Sequence, residues 1–170
     1  MSGRESDVIV ERVVALTEQL LDALRKERND RANMKRVLIV EDDPNDACLN
    51  KLPLSGMGFD VDIATTEEEA LEMINRSTDT YDSSYMIVFV DLKLGTGDGI
   101  SVIRRIKTIT PYLPVVVITG MEIRSDLVCR ATELGYVGFI KKPLVKAETI
   151  EIMLKHRIPI PIPLKEMACA

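Results

Sequence analysis

The 170-residue chain has no apolar run near the ~18 residues that a membrane span needs. Its start, MSGRESD, is polar and lacks the long apolar core of a signal peptide. Basic residues do not predominate. Lys and Arg total 22 against 27 Asp and Glu, and a net charge of −5 argues against a nucleic-acid surface, which would want a basic stripe. Cysteine is scarce and scattered. Cys48, Cys129 and Cys169 form no CxxC pair, so they read as reduced thiols and exclude a disulfide framework or zinc site. Histidine occurs once, as His156, near an expected helix end where its charge is favourable without being catalytic. What remains is an ordinary balance of apolar and charged residues, in a length suited to one core and short for two. The expectation is a soluble cytoplasmic protein with no direct nucleic-acid or membrane partner.

Four short runs, at 37–40, 86–90, 115–118 and 137–140, are mostly β-branched or aromatic and predict strands buried on both faces. Residues 59–64 alternate apolar and acidic side chains, which suits an exposed edge strand. Helical patterns fill the intervals. Asp43 caps a helix that has Pro44 at its first position and an apolar face of Cys48, Leu49 and Leu52. Pro53 is expected to end or kink it. Thr66 and Glu69 form a capping box ahead of Ala70, Leu71 and Ile74. Ile100, Ile103 and Ile106 make a stripe after Gly99. Leu127, Ala131 and Leu134 make another, closed by Gly135 at the C-cap. Ala147, Ile150 and Leu154 mark the last helix. Five strand–helix alternations from Lys35 to His156 predict an α/β fold with a doubly wound parallel sheet.

Function in such sheets sits at the carboxyl ends of the strands, near the reversal of strand order. There the chain places Glu41-Asp42-Asp43, Asp91, Thr119 and Lys142-Pro143. Carboxylates gathered in one crevice resist ionisation together unless a cation is present, and Mg²⁺ suits a carboxylate-and-water site that also holds a phosphoryl group. Asp91 can then attack phosphorus as a carboxylate nucleophile. Lys142 supplies a fixed positive charge, Thr119 a hydrogen bond, and Gly120 leaves room for the incoming group.

The pieces VLIVEDDP, VFVDLKLGTGDG, VVVITG and GFIKKP, in this order, resemble the receiver domains of bacterial two-component response regulators. The resemblance covers about Lys35 to Arg157 and implies a five-stranded parallel sheet of flavodoxin-like order 2-1-3-4-5. It implies that Asp91 is the phosphoacceptor, and that Asp42, Glu41 (through water), Asp91 and the Lys93 backbone carbonyl hold Mg²⁺. Thr119 and Lys142 contact the phosphoryl group, Phe139 is the switch aromatic coupled to the threonine, and Gly99 is the turn glycine. Lys142 is chosen over Lys141 because it directly precedes Pro143, a peptide bond that is cis in the family. Gly95 stands where proline is common, which would loosen that loop, and the stretch 76–85 is slightly long. Lys93 and Met121 occupy positions whose side chains, in that family, help set the lifetime of the phosphoryl group.

These implications define a single-domain response regulator, a phosphoacceptor switch and not a conventional enzyme. A histidine kinase or phosphotransfer protein would phosphorylate it. It would signal to an unidentified partner through the fourth helix, fifth strand and fifth helix around Phe139. The alternative is a phosphorylation-independent interaction module with the same fold. A haloacid-dehalogenase-type hydrolase would want an aspartate where Lys93 stands, and a flavin-binding relative would not tolerate EDDPND beside a phosphate. The expected divisions are a helical extension at 1–33, the receiver at 34–157 and an extended Pro-rich tail at 158–170. In the extension, Ile9, Val13, Leu16, Leu20 and Ala23 follow coiled-coil spacing. Homodimerisation and docking on the chain's own receiver both stay open. The tail, IPIPIPL, loses every second backbone donor to proline, so it is either a frayed terminus or packed on a neighbouring subunit or partner.

Overall fold

The computed structural model describes residues 12–23, 35–78, 84–95, 97–120 and 126–161. The chain divides into two compact units, Met1–Asn33 and Met34–Ala170. In the first, residues 12–23 form helix α1. Its Val13, Leu16 and Leu20 are 56, 59 and 62% exposed. Ile9, at the start of the expected seam, lies outside the described residues.

The second unit runs β1 (Arg36–Val40), α2 (Pro44–Ser55), β2 (Asp60–Ala64), α3 (Glu67–Thr78), β3 (Ile87–Asp91), β4 (Lys93–Leu94), β5 (Gly97–Asp98), α4 (Gly99–Ile109), β6 (Val115–Thr119), α5 (Asp126–Glu133), β7 (Gly138–Lys141) and α6 (Lys146–Lys155). Five strands form one sheet in the order β2-β1-β3-β6-β7, with every pairing parallel. This is the expected doubly wound, flavodoxin-like arrangement. The short β4–β5 hairpin is an addition that the apolar pattern did not predict.

Alternation along the buried strands divides the core in two, because successive side chains point to opposite faces. Leu38, Val40, Val88, Val90, Val115 and Val117 pack against Ala70, Leu71 and Ile74 of α3 and Ile100, Ile103 and Ile106 of α4. Val37, Ile39, Ile87, Phe89, Val116 and Ile118 pack against Leu54 of α2 and Met153 of α6. Strand β2 lies at the sheet's edge, as its alternation predicts. Arg36 ties it to β1 through Asp62 at 2.6 Å, with the guanidinium 4.7 Å from the Tyr85 ring centroid. Strand β7 is the opposite edge and is half-buried, not covered on both faces as expected.

The helix starts follow their caps. Asp43 accepts from the Asn45 and Asp46 N–H groups, and Asp98 from Ile100 N–H. Thr66 Oγ1 accepts from Glu69 N–H, while Glu69 reaches back to Thr65 instead of the capping residue itself. Gly135 follows α5 at φ +73°, a left-handed position that favours glycine. Leu127 of that helix has a side chain outside the described residues.

Two helix faces differ from expectation. Helix α2 buries Ala47, Asn50 and Leu54 and exposes Leu49 and Leu52, the residues assigned to its core. A polar residue at the centre of the buried face breaks the apolar signal there. Helix α6 buries Thr149 and Met153 and exposes Leu154 for the same reason. Pro53 does not end α2, which runs on to Ser55. It stands in the last turn, where its missing N–H forfeits a single intrahelical bond.

The start of the tail is neither frayed nor left for another subunit. Ile158 and Ile160 pack on the chain's own core. Arg157 at φ +57° lets Ile158 N–H turn back to the Met153 carbonyl at 2.8 Å. Residues 162–170 and the stretch 79–83 lie outside the described residues.

Candidate functional site

The sheet order reverses beside β1. The chain crosses from β1 to β2 on one side and returns to β3 on the other, which opens a crevice at the strands' carboxyl ends. A cavity of about 560 Å³ occupies it, lined by Glu41, Asp42, Asp43, Asp46, Asp91, Lys93, Gly95, Thr119, Gly120 and Lys142.

Asp91 is the last residue of the central strand β3 and is buried. Its Oδ1 accepts from Lys93 N–H at 3.1 Å, and its Oδ2 from Lys142 Nζ at 2.6 Å. Lys142 directly follows β7. Its N–H donates to the Thr119 carbonyl at 3.0 Å, and its bond to Pro143 is cis. The same Nζ lies 2.5 Å from Glu41 Oε2 and 2.9 Å from Asp46 Oδ2. Glu41 leaves β1 with its N–H on the Ala64 carbonyl and its side chain 1% exposed. Asp42 stands beside it in solvent, and Asp43 is taken up as the α2 cap. Thr119, the last residue of β6, is buried at the cavity wall.

Two glycines keep this arrangement open. A Cβ on Gly99 would lie 2.1 Å from the Asp91 carbonyl oxygen, so no larger residue fits behind the Asp91 backbone. Gly95 is at φ +36°, and a Cβ there would lie 3.0 Å from Asp42 Oδ2. Proline, fixed near φ −65°, cannot take that conformation. The departure at Gly95 therefore shapes the loop around the Asp42 carboxylate. A Cβ on Gly120 would meet open space.

Glu41, Asp42 and Asp91 bring carboxylate oxygens within 4.8 Å of one another. Two such charges repel by roughly 3–4 kcal/mol at an effective dielectric of about 20. Burial raises the Glu41 pKa above its ordinary value; Lys142 opposes that rise, while the Asp91 charge adds to it. For Lys142, burial alone would lower the pKa, but Asp91, Glu41 and Asp46 together outweigh it and raise it, so the ammonium is retained. Glu41 Oε2 is close to Lys142 in distance yet accepts no well-directed hydrogen bond among the described residues. One ammonium among four carboxylates leaves excess negative charge, with oxygens of Glu41, Asp42 and Asp91 gathered in one place. That donor set fits a hard divalent cation.

The structure brings Glu41, Asp42, Asp91, Lys93, Thr119 and Lys142 into one cavity. Phe139 stands apart from its lining, half-buried in β7 beside Val117. Asp46 is the residue that sequence reading missed. It falls three residues after the cap, on the first turn of a helix whose apolar face had been misread, and acidic residues are ordinary in first turns. The available signal was its place beside the acidic loop.

A family model described as the response regulator receiver domain matches residues 37–154. The peroxide stress-activated histidine kinase mak3 of Schizosaccharomyces pombe is 28% identical over 128 residues, which covers 72% of this chain and 5% of the kinase. The transcriptional regulatory protein ZraR of Escherichia coli K12 is 27% identical over 108 residues, 64% of this chain and 23% of the regulator. The chain thus spans a small part of the curated relatives it matches. A CheY-like receiver domain protein from Methanospirillum hungatei superposes with a TM-score of 0.62 at 24% identity, covering 74% of this chain and 94% of that one, a likeness of fold.

The raised Glu41 pKa has a signed consequence. The folded state holds the Glu41 proton more tightly than the unfolded chain, so stability is lost as pH rises from about 4.5 through the folded value. In urea titrations without divalent cations, Glu41→Gln gains on the wild type as pH climbs from 4 to 7. A difference that stays constant with pH contradicts this.

Proposed function

The chain belongs to the response regulator receiver domain family, and on that premise we propose that it accepts a phosphoryl group on Asp91, with Mg²⁺ bound, and signals by a change of shape. The observation that carries this reading is the buried Asp91 carboxylate at the end of β3, 2.6 Å from the Lys142 ammonium and clustered with Glu41 and Asp42. A histidine kinase or phosphotransfer protein would be the natural donor. The curated relatives carry the receiver as one part of a longer protein, and the proposal is made for the receiver itself, residues 34–157.

Asp42, Asp91 and the Lys93 carbonyl would hold Mg²⁺, with Glu41 acting through water. When bound, the ion would offset the carboxylate charges and shield the phosphoryl oxygens. Asp91 supplies the lone pair that forms the new O–P bond, while the donor's bond to phosphorus breaks (P–N in a phosphohistidine, P–O in acetyl phosphate) and its leaving group keeps that electron pair. Lys142 transfers its contact from Asp91 Oδ2 to a phosphoryl oxygen, and the Thr119 hydroxyl donates to another. Phe139 lies on β7, paired with the strand that ends in Thr119, so a movement of Thr119 has a short path to the surface formed by α5, β7 and α6. Phosphate shifts the population of states only by its difference in affinity for them. A cytoplasmic setting is part of this reading, and the net charge of −5 is compatible with it.

The exposed Val13, Leu16 and Leu20 support the reading that α1 joins two copies of the chain. Light scattering is expected to give twice the monomer mass for the full chain and the monomer mass without residues 1–33; equal monomer masses would remove this part. The central reading is tested by intact mass after incubation with Mg²⁺ and acetyl phosphate. The wild type is expected to gain one phosphoryl group only when Mg²⁺ is present, and Asp91→Asn none. No gain in the wild type would favour the phosphorylation-independent module.

A further inference from the structure

Helix α2 grips the loop after β7 at two points one helical turn apart. Asp46 Oδ2 accepts from Lys142 Nζ at 2.9 Å, and Asn50 Oδ1 accepts from Leu144 N–H at 3.0 Å. These contacts lie on either side of Pro143, so α2 fixes the loop both before and after it. Asn50 is 1% exposed, and its Nδ2 has no hydrogen bond among the described residues. A buried amide with an unmet donor is costly to stability. Its presence on the inner face of α2 indicates that the position of this loop is worth that cost.

We infer that Asp46 is a positioning residue for phosphoryl transfer: it anchors the Lys142 ammonium while that ammonium moves from the Asp91 carboxylate to the phosphoryl group. The inference rests on the phosphoacceptor reading given above. An ammonium has three N–H donors, and three carboxylates surround this one. Glu41 and Asp91 belong to the cluster that would hold the cation, and both change their charge environment when cation and phosphoryl group arrive. Asp46 stands outside that cluster, on the first turn of a capped helix, with its side chain 42% exposed. Its hold on Lys142 therefore persists through the reaction.

Both oxygens of Asp91 accept a hydrogen bond in this structure, so the attacking oxygen must lose one as the O–P bond forms. An ammonium held from the outer side by Asp46 can give up Asp91 Oδ2 without leaving the site. Without Asp46, the carboxylate partners that remain among the described residues are the nucleophile itself and the buried Glu41, and Lys142 settles onto them. Misplacement of a charge by about 1 Å is enough to slow a positioned reaction severely.

The test uses the full chain with Mg²⁺ and acetyl phosphate, following intact mass with time for the wild type, Asp46→Asn, Asp46→Ala, Lys142→Ala and the Asp46→Ala/Lys142→Ala double variant. Asp46→Ala is expected to lower the rate at saturating acetyl phosphate by about tenfold, with the half-saturating concentration unchanged. Asp46→Asn, which keeps an acceptor oxygen of the same shape, is expected to lose less. In the Lys142→Ala background, Asp46→Ala is expected to add no further loss. The inference is overturned by an undiminished rate in Asp46→Ala, or by the same fold-loss with and without Lys142. A wild type that takes up no phosphoryl group overturns the phosphoacceptor reading instead.

Discussion

One ammonium group organises the mouth of this sheet. Lys142 Nζ lies within 3 Å of carboxylate oxygens from three separate elements: Glu41 after β1, Asp46 on α2 and Asp91 at the end of β3. Each carboxylate adds negative charge to a crowded place, and burial raises the pKa of Glu41, the most buried of the three. The lysine makes the cluster tolerable without neutralising it. Its own burial would favour losing the proton, yet the surrounding acids hold it charged. The result is a preformed but electrostatically unfinished site, which still prefers a further cation.

The rest of the fold serves that placement. Asp91 is rigid because β3 is flanked on both sides and covered on both faces. Thr119 ends the next strand and Lys142 directly follows the one beyond it, with Lys142 N–H bonded to the Thr119 carbonyl. The β1–α2 loop delivers two acids to the site and spends a third, Asp43, on starting the helix. Gly99 lets the chain turn directly behind Asp91, and Gly95 lets the following loop close against Asp42. Stability and function pull in opposite directions at the crevice, and the cost is carried by two apolar layers that are almost fully buried.

Much of this was legible in the sequence because the signals were local and strong. Short β-branched runs name buried strands, and alternating units name the topology. The strand ends then name Glu41, Asp42, Asp91, Thr119 and Lys142 as neighbours before any contact is known. The misreadings arose where polarity and burial part company. Asn50 and Thr149 are polar and buried, while Leu49, Leu52 and Leu154 are apolar and exposed, so the faces of α2 and α6 were rotated. Tertiary hydrogen bonding decides such positions, and it is invisible to periodicity. Asp46 went unnoticed because its partner lies 96 residues away. The Ile-Pro segment looked unsatisfied until Ile158 and Ile160 were seen to cover the chain's own core.

On the proposed reading, a divalent cation and a phosphoryl group meet on Asp91 in the acidic crevice. The most direct measurement is ¹⁹F NMR of the protein with beryllofluoride, a mimic of a phosphoryl group bound to a carboxylate. Bound fluoride resonances that require Mg²⁺ and are absent from Asp91→Asn are expected. The absence of bound resonances at any Mg²⁺ concentration, or their persistence in Asp91→Asn, would contradict this reading.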